Sequence, residues 1–222
     1  MLPPIDSAVE LGHVVVIDDD ASVRRSLCIM LERAGYQVSE HESADAFLQN
    51  PVLPASPVVV LLDMRMPGTS GVMLQAKLKT LVKHPVPIVF VSGDSRPDEI
   101  ISAMKQGAVD FLLKPFTAQA MLDVMARAMH LAVQTEEISS KQAIVSERLQ
   151  RLTPRELQIC HWMVRGYSNQ QISSFDGGAA ATIKLHRSRV MEKMQAQSLP
   201  ELIDLLTGFD LPQPVKPSGA VV

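Results

Sequence analysis

With 222 residues, 46% of them hydrophobic, and a net charge of −3, the chain is long enough for one large domain or two small ones and is no bulk polycation, so any nucleic-acid site is a local patch. No apolar stretch approaches the ~18 residues of a membrane span. The opening Met1-Leu-Pro-Pro-Ile-Asp-Ser also lacks the charged and apolar regions of a signal peptide, so a soluble, cytoplasmic protein with no membrane partner is expected.

Through about residue 120 the pattern alternates between strand and helix. Val14-Val-Val-Ile17 and Val58-Val-Val-Leu-Leu62 are runs of β-branched and aliphatic residues, as needed by strands covered on both faces. Strands are expected at 13–17, 37–42, 58–62, 87–92 and 111–114. Between them, apolar residues at three- and four-residue spacing predict helices at 21–34, 43–49, 72–82, 97–106 and 117–129, with Gly35 and Gly107 as stops. Five such units imply an α/β, doubly wound parallel sheet, because right-handed crossovers put helices on both faces. Cys28 and Cys160 fall in apolar helical stretches and are expected as buried free thiols.

The helical pattern continues past the fifth unit but turns polar, with neither Gly nor Pro, so residues 131–150 are expected as a helical linker carrying a loose stripe of Leu131, Ile138, Val145 and Leu149. A second, all-α unit follows at 151–208. Thr153-Pro154-Arg155-Glu156 and Ser198-Leu-Pro-Glu201 are capping boxes, each opening a helix. Ser168 caps a short helix that ends near Phe175, and another is expected from Ala180 to Met194. The tail, 209–222, is rich in proline and is expected to be disordered.

The chemistry gathers where strands end. Asp18, Asp19 and Asp20 follow the first apolar run, Asp63 the third, Ser92 the fourth and Lys114 the fifth. In an open parallel sheet these carboxyl ends form the ligand crevice. Carboxylates crowded there repel one another unless a divalent cation such as Mg²⁺ joins them, or unless one stays protonated. Asp18 and Asp19 could hold Mg²⁺ with Asp63, leaving an Asp63 oxygen as a nucleophile toward phosphorus. Ser92 and Lys114 would then bind phosphoryl oxygens.

An acidic pair, a lone Asp, Ser-Gly and Lys-Pro in this order resemble the receiver domain of bacterial two-component response regulators, over about residues 12–130. The resemblance implies a flavodoxin-like fold and phosphorylation of Asp63 by a histidine kinase. Asp18 and Asp19 would bind Mg²⁺, Ser92 would be the switch hydroxyl, Lys114 the phosphate-sensing amine and Phe111 the switch aromatic. It further implies a cis Lys114–Pro115 bond, slow autodephosphorylation as the catalysis, and a homodimer on phosphorylation. Arg65 and Asp94, each two residues past a site residue, are placed to bridge beside the phosphate.

The second unit resembles a LuxR/FixJ-type helix-turn-helix effector through Leu152-Thr-Pro-Arg-Glu156, Gly166-Tyr-Ser-Asn169 and the helix Thr182 to Met194. Ile183, Val190 and Met194 make an apolar stripe on that helix, with cations over the remainder. By resemblance Lys184, Leu185 and Ser188 face the DNA major groove, while Thr182, His186 and Arg187 lie nearer the backbone. Ser168 and Asn169 offer a helix N-terminus to phosphate. The turn Asp176-Gly177-Gly178-Ala179-Ala180-Ala181 departs from the family pattern. Two core anchors and the Ser cap are gone, and Phe175 is a candidate to fill the space. That departure motivates an alternative, a phosphorylation-dependent protein-interaction module that no longer binds DNA.

Overall fold

The structure, a computed structural model of the chain, describes residues 11–54, 57–82, 84–93 and 95–211. The chain divides into two compact units, 1–139 and 140–222.

The first unit is a five-stranded parallel sheet in the order β2-β1-β3-β4-β5. Its strands are β1 (His13–Ile17), β2 (Gln37–His41), β3 (Val58–Asp63), β4 (Ile88–Ser92) and β5 (Asp110–Leu113). The alternating helices are α1 (Ala21–Arg33), α2 (Ala44–Gln49), α3 (Gly71–Leu81), α4 (Pro97–Lys105) and α5 (Ala118–Gln150). The pleat sends Val14, Val16, Val59, Leu61, Val89 and Val91 to one face, against Leu27 and Leu31 of α1 and Met121 and Met125 of α5. Val15, Ile17, Val60, Leu62 and Phe90 point the other way, against Phe47, Leu74, Leu78 and Ala103 of α2, α3 and α4. Both faces are buried, which is why these strands read as unbroken apolar runs.

Two glycines shape the loop after β3. At Gly71 a Cβ would lie 2.2 Å from the Asp63 carbonyl oxygen and 3.0 Å from the Phe90 ring, so only glycine lets α3 start this close to the sheet. Gly68 has φ +75°, and a Cβ there would meet the Asp45 carboxylate at 2.4 Å. That carboxylate accepts from the Thr69 hydroxyl at 2.6 Å and from its backbone N–H at 3.2 Å.

The second unit contains α6 (Pro154–Val164), α7 (Asn169–Asp176), α8 (Ala180–Met194) and α9 (Leu199–Leu206). Its core joins Ile159, Cys160 and Met163 of α6 to Ile172 of α7, the α8 stripe Ile183, Val190 and Met194, and Leu202 of α9. Val145 is buried in the same core, Leu149 packs against it, and the Arg148 guanidinium donates to the Met194 carbonyl at 2.9 Å. The stretch expected as a linker is thus helical throughout, but its last turns are built into the second core while Leu131 and Ile138 stay exposed. Of the expected tail, Phe209 and Leu211 pack on this core; residues 212–222 lie outside the described residues.

Cys28 and Cys160 are both buried and free, and burial pushes their thiols up to about 11 and about 12. Among the described residues, no helix is long and apolar enough to cross a membrane.

Candidate functional site

Three strand ends bring the site together. Asp18 follows β1, Asp63 closes β3 and Lys114 follows β5, and all three side chains meet. The Lys114 ammonium lies 2.7 Å from Asp18 Oδ2 and 3.0 Å from Asp63 Oδ2. Backbone amides hold the other carboxylate oxygens: Asp18 Oδ1 accepts from Asp20 N–H and Asp63 Oδ1 from Arg65 N–H, both at 2.9 Å. Asp18 is 1% exposed and Asp63 9%, whereas Asp19 is open to solvent.

Burial pushes the Asp63 carboxyl above the usual carboxylate range, and the charge of Asp18 adds to the rise. The Arg65 N–H and the Lys114 ammonium pull against it. For Lys114, burial works against the ammonium, but its bonds to Asp18 and Asp63 prevail and raise it above its ordinary value. Lys114 therefore stands as the fixed positive charge between two buried acids.

Carboxylate oxygens of Asp18, Asp19 and Asp63 lie within 4.8 Å of one another. A hard, all-oxygen donor set of this kind, with one member facing solvent, fits a small divalent cation that keeps part of its water shell. The third acid of the triplet has another role. Asp20 caps α1, accepting from the backbone N–H of Ser22 at 2.8 Å and of Val23 at 3.1 Å.

Ser92 ends β4 almost fully buried, and its hydroxyl oxygen accepts from the Ser95 hydroxyl at 2.8 Å. The Ser92 carbonyl also accepts from the Lys114 N–H at 2.8 Å, tying the two strand ends together. Phe111 pairs in register with Phe90 and is half-buried against the α2–α3–α4 core. The Lys114–Pro115 bond is cis, as the resemblance implied.

The expected Arg65–Asp94 bridge falls outside the described residues. The Arg65 guanidinium pairs at 3.1 Å with Glu99 in the first turn of α4. Glu99, Ser95 and Gly71 shape the site without a signal in the sequence, whereas Asp20 stands out there among the strand-end acids but not as a helix cap.

In the second unit, Thr182, Lys184, Leu185 and Ser188 are exposed along α8, with Leu185 at 50%. His186 and Arg187 are half-buried. The Arg187 guanidinium donates to the Tyr167 carbonyl at 3.0 Å, and the His186 Nδ1 is buried without a hydrogen-bond partner. These two side chains face the unit itself more than solvent. Ser168 caps α7 through a capping box with Gln171, beside half-buried Asn169. The unusual turn closes on Gly177, in the left-handed region at φ +72°, and the Ser173 hydroxyl donates to the Gly178 carbonyl. Ala179 gives α8 no side-chain cap, as its residue type dictates. Phe175 does not fill the core; it stays 41% exposed, its ring centroid 5.4 Å from those of both Trp162 and Tyr167.

Known proteins resemble both units. Residues 14–126 match the response regulator receiver domain, and residues 150–206 match the bacterial regulatory proteins of the luxR family. The transcriptional regulatory protein FixJ of Bradyrhizobium diazoefficiens is 38% identical over 198 residues, covering 87% of this chain and 94% of its own. The response regulator protein TodT of Pseudomonas putida is 34% identical, covering 86% and 83%. Among solved structures, the response regulator StyR matches with a TM-score of 0.76 at 36% identity, covering 88% of this chain and 98% of StyR. Full-length FixJ from B. japonicum matches with a TM-score of 0.53 at 37% identity, covering 90% and 97%.

Proposed function

From the premise that the chain belongs to the DNA-binding transcriptional response regulators, which join a receiver to a LuxR-family domain, we propose that Asp63 is its phosphoacceptor. The observation that carries this reading is the convergence of Asp18, Asp63 and Lys114 from separate strand ends onto one buried ion cluster.

The donor is a phosphohistidine on a cognate sensor histidine kinase. An Asp63 carboxylate oxygen attacks phosphorus and the P–N bond breaks. Its electron pair returns to the imidazole, and an acyl phosphate forms on Asp63. The Arg65 N–H fixes the carboxylate orientation, and Lys114 meets the charge that builds on the phosphoryl oxygens. Asp18, Asp19 and Asp63 would hold Mg²⁺, which when bound neutralises phosphoryl charge beside these carboxylates. Catalysis ends there, with slow hydrolysis of the acyl phosphate.

Ser92 then gives up its bond with Ser95 to reach the phosphoryl group, and Phe111 turns inward behind it. The receiver dimerises, and two effector units meet adjacent DNA half-sites, gaining affinity through effective concentration. Lys184, Leu185 and Ser188 read the major groove, with Thr182, Ser168 and Asn169 nearer the phosphates. Nothing in the relatives favours a protein-interaction module that has lost DNA binding, and the luxR-family match runs through the altered turn. A cytoplasmic protein acting on DNA is the corresponding setting.

Asp63→Asn in the full chain is expected to abolish Mg²⁺-dependent labelling by acetyl phosphate, read by acid-stable gel and by mass. Label persisting at another residue refutes the assignment. On promoter DNA, Lys184→Ala is expected to weaken binding by about 1–3 kcal/mol and to relax the sequence preference at the base it reads. Unchanged affinity and sequence preference remove Lys184 from the interface.

A further inference from the structure

Among the described residues, an ion pair links the phosphoacceptor loop to α4. Arg65 is anchored beside Asp63 through its N–H, and its guanidinium pairs with Glu99 on the wall of a cleft of about 590 Å³. Glu99 does not depend on that partner. Its carboxylate also accepts from the Arg96 N–H at 3.0 Å and from the Arg96 guanidinium at 3.3 Å. It sits as well in the first turn of α4, where the helix dipole favours an anion. Arg65 can therefore leave without stranding Glu99. Its side chain is 44% exposed and lines the cleft together with Glu99.

Phosphorylation puts a group of about −2 charge two residues away from Arg65. A guanidinium given the choice between a shared, solvated carboxylate and a nearby phosphoryl group favours the latter, because its planar fork matches phosphate oxygens and the charge is larger. We propose that Glu99 is a positioning residue that competes with the phosphoryl group on Asp63 for Arg65, so that phosphorylation transfers Arg65 from α4 to the phosphate. This inference rests on the assignment of Asp63 as phosphoacceptor.

The transfer has two effects. It unfastens the first turn of α4 from the loop after β3, at the same end of the sheet where Ser92 gives up Ser95. It also places Arg65 over the phosphorus, where it hinders hydrolysis. In that reaction water attacks phosphorus, the bond to the Asp63 oxygen breaks with its electron pair left on the carboxylate, and phosphate departs as the proton passes to solvent.

The experiment is a double-mutant cycle on the full chain, loaded with radiolabelled acetyl phosphate and Mg²⁺, freed of donor and followed for loss of label. An exposed pair is worth little, so modest changes are expected. Glu99→Gln, which keeps shape and removes charge, lengthens the half-life about threefold, and Arg65→Ala shortens it by a similar factor. The double variant matches Arg65→Ala, because without the Arg65 guanidinium Glu99 has nothing to withhold from the phosphoryl group. Arg65→Lys falls between wild type and alanine. Thermal midpoints of all variants, expected within a few degrees of wild type, separate this from a folding effect. If Glu99→Gln leaves the half-life unchanged, or changes it equally when Arg65 is absent, the inference falls while the phosphoacceptor stands. If wild type takes up no label on Asp63, both fall.

Discussion

The two functional regions deploy charge in opposite ways. In the receiver crevice the charges are withdrawn from water and come from distant parts of the chain. Lys114 meets Asp18 across 96 residues, and each buried carboxylate is also held by a backbone amide. On the effector the exposed candidates other than Ser168 lie on one helix, α8, above a buried stripe of Ile183, Val190 and Met194. Phosphoryl transfer needs fixed groups in a partly desolvated site, where electrostatics is strong and no reorganisation is required. DNA binding needs hydrated cations that exchange counterions with phosphates. The contrast also warns against counting cations. Arg187 is spent on the Tyr167 carbonyl and Lys193 on Glu156, so both belong partly to the scaffold of α8.

The comparison can be broken most severely at Gly71. Gly71→Ala forces a methyl against the carbonyl of Asp63, so a loss of about 2–3 kcal/mol is expected in urea unfolding, together with weakened labelling of Asp63. A loss below about 0.5 kcal/mol would show that the crevice tolerates movement of α3, contrary to a preorganised site.

The scaffold of the effector is tested at Glu156, which is 3% exposed and pairs with Lys193 at 2.6 Å. Burial raises its carboxyl, but Lys193 and the Thr153 N–H more than offset this and bring it down to about 2. A depressed folded value means that the stabilisation is complete above about pH 4.5 and is lost as pH falls toward about 2. Glu156→Gln is expected to cost about 1–2 kcal/mol at neutral pH, discounted for the part-exposed lysine, and to flatten acid unfolding over that window. The fluorescence of Trp162, the single tryptophan, reports this unit selectively. Identical acid profiles for variant and wild type would remove Glu156 from the scaffold.

The smallest effect is a gain. Ala179→Ser supplies the cap that α8 lacks and is expected to stabilise the second unit by about 1 kcal/mol, read by the same fluorescence in urea. No gain would mean that the turn through Gly177 and Gly178 already satisfies the first amides of α8.

Periodicity carried most of the architecture. All five strands and every helix of the second unit were legible within a residue or two, because burial on both faces makes unbroken apolar runs and caps have sequence signatures. The two thiols were legible as buried for the same reason. The end of the linker was not, since Val145 and Leu149 look alike in sequence whether a helix crosses solvent or joins a core. Nor was the position of Phe175, which depends on ring contacts with Trp162 and Tyr167 made by two other segments.

What the sequence determined alone is whatever repeats along the chain or lies within one turn of it: strand and helix spans, the caps at Thr153, Ser168 and Ser198, and the acids that end β1 and β3. The tertiary structure decided the partners. It chose Lys114 for Asp18 and Asp63, gave Asp20 to a helix cap, sent Arg65 to Glu99 and turned Arg187 inward. The physical reason is range. Propensity and capping act over a few residues, whereas a charge pairs with whichever opposite charge the folded backbone brings within about 4 Å, and nothing local encodes which one that is.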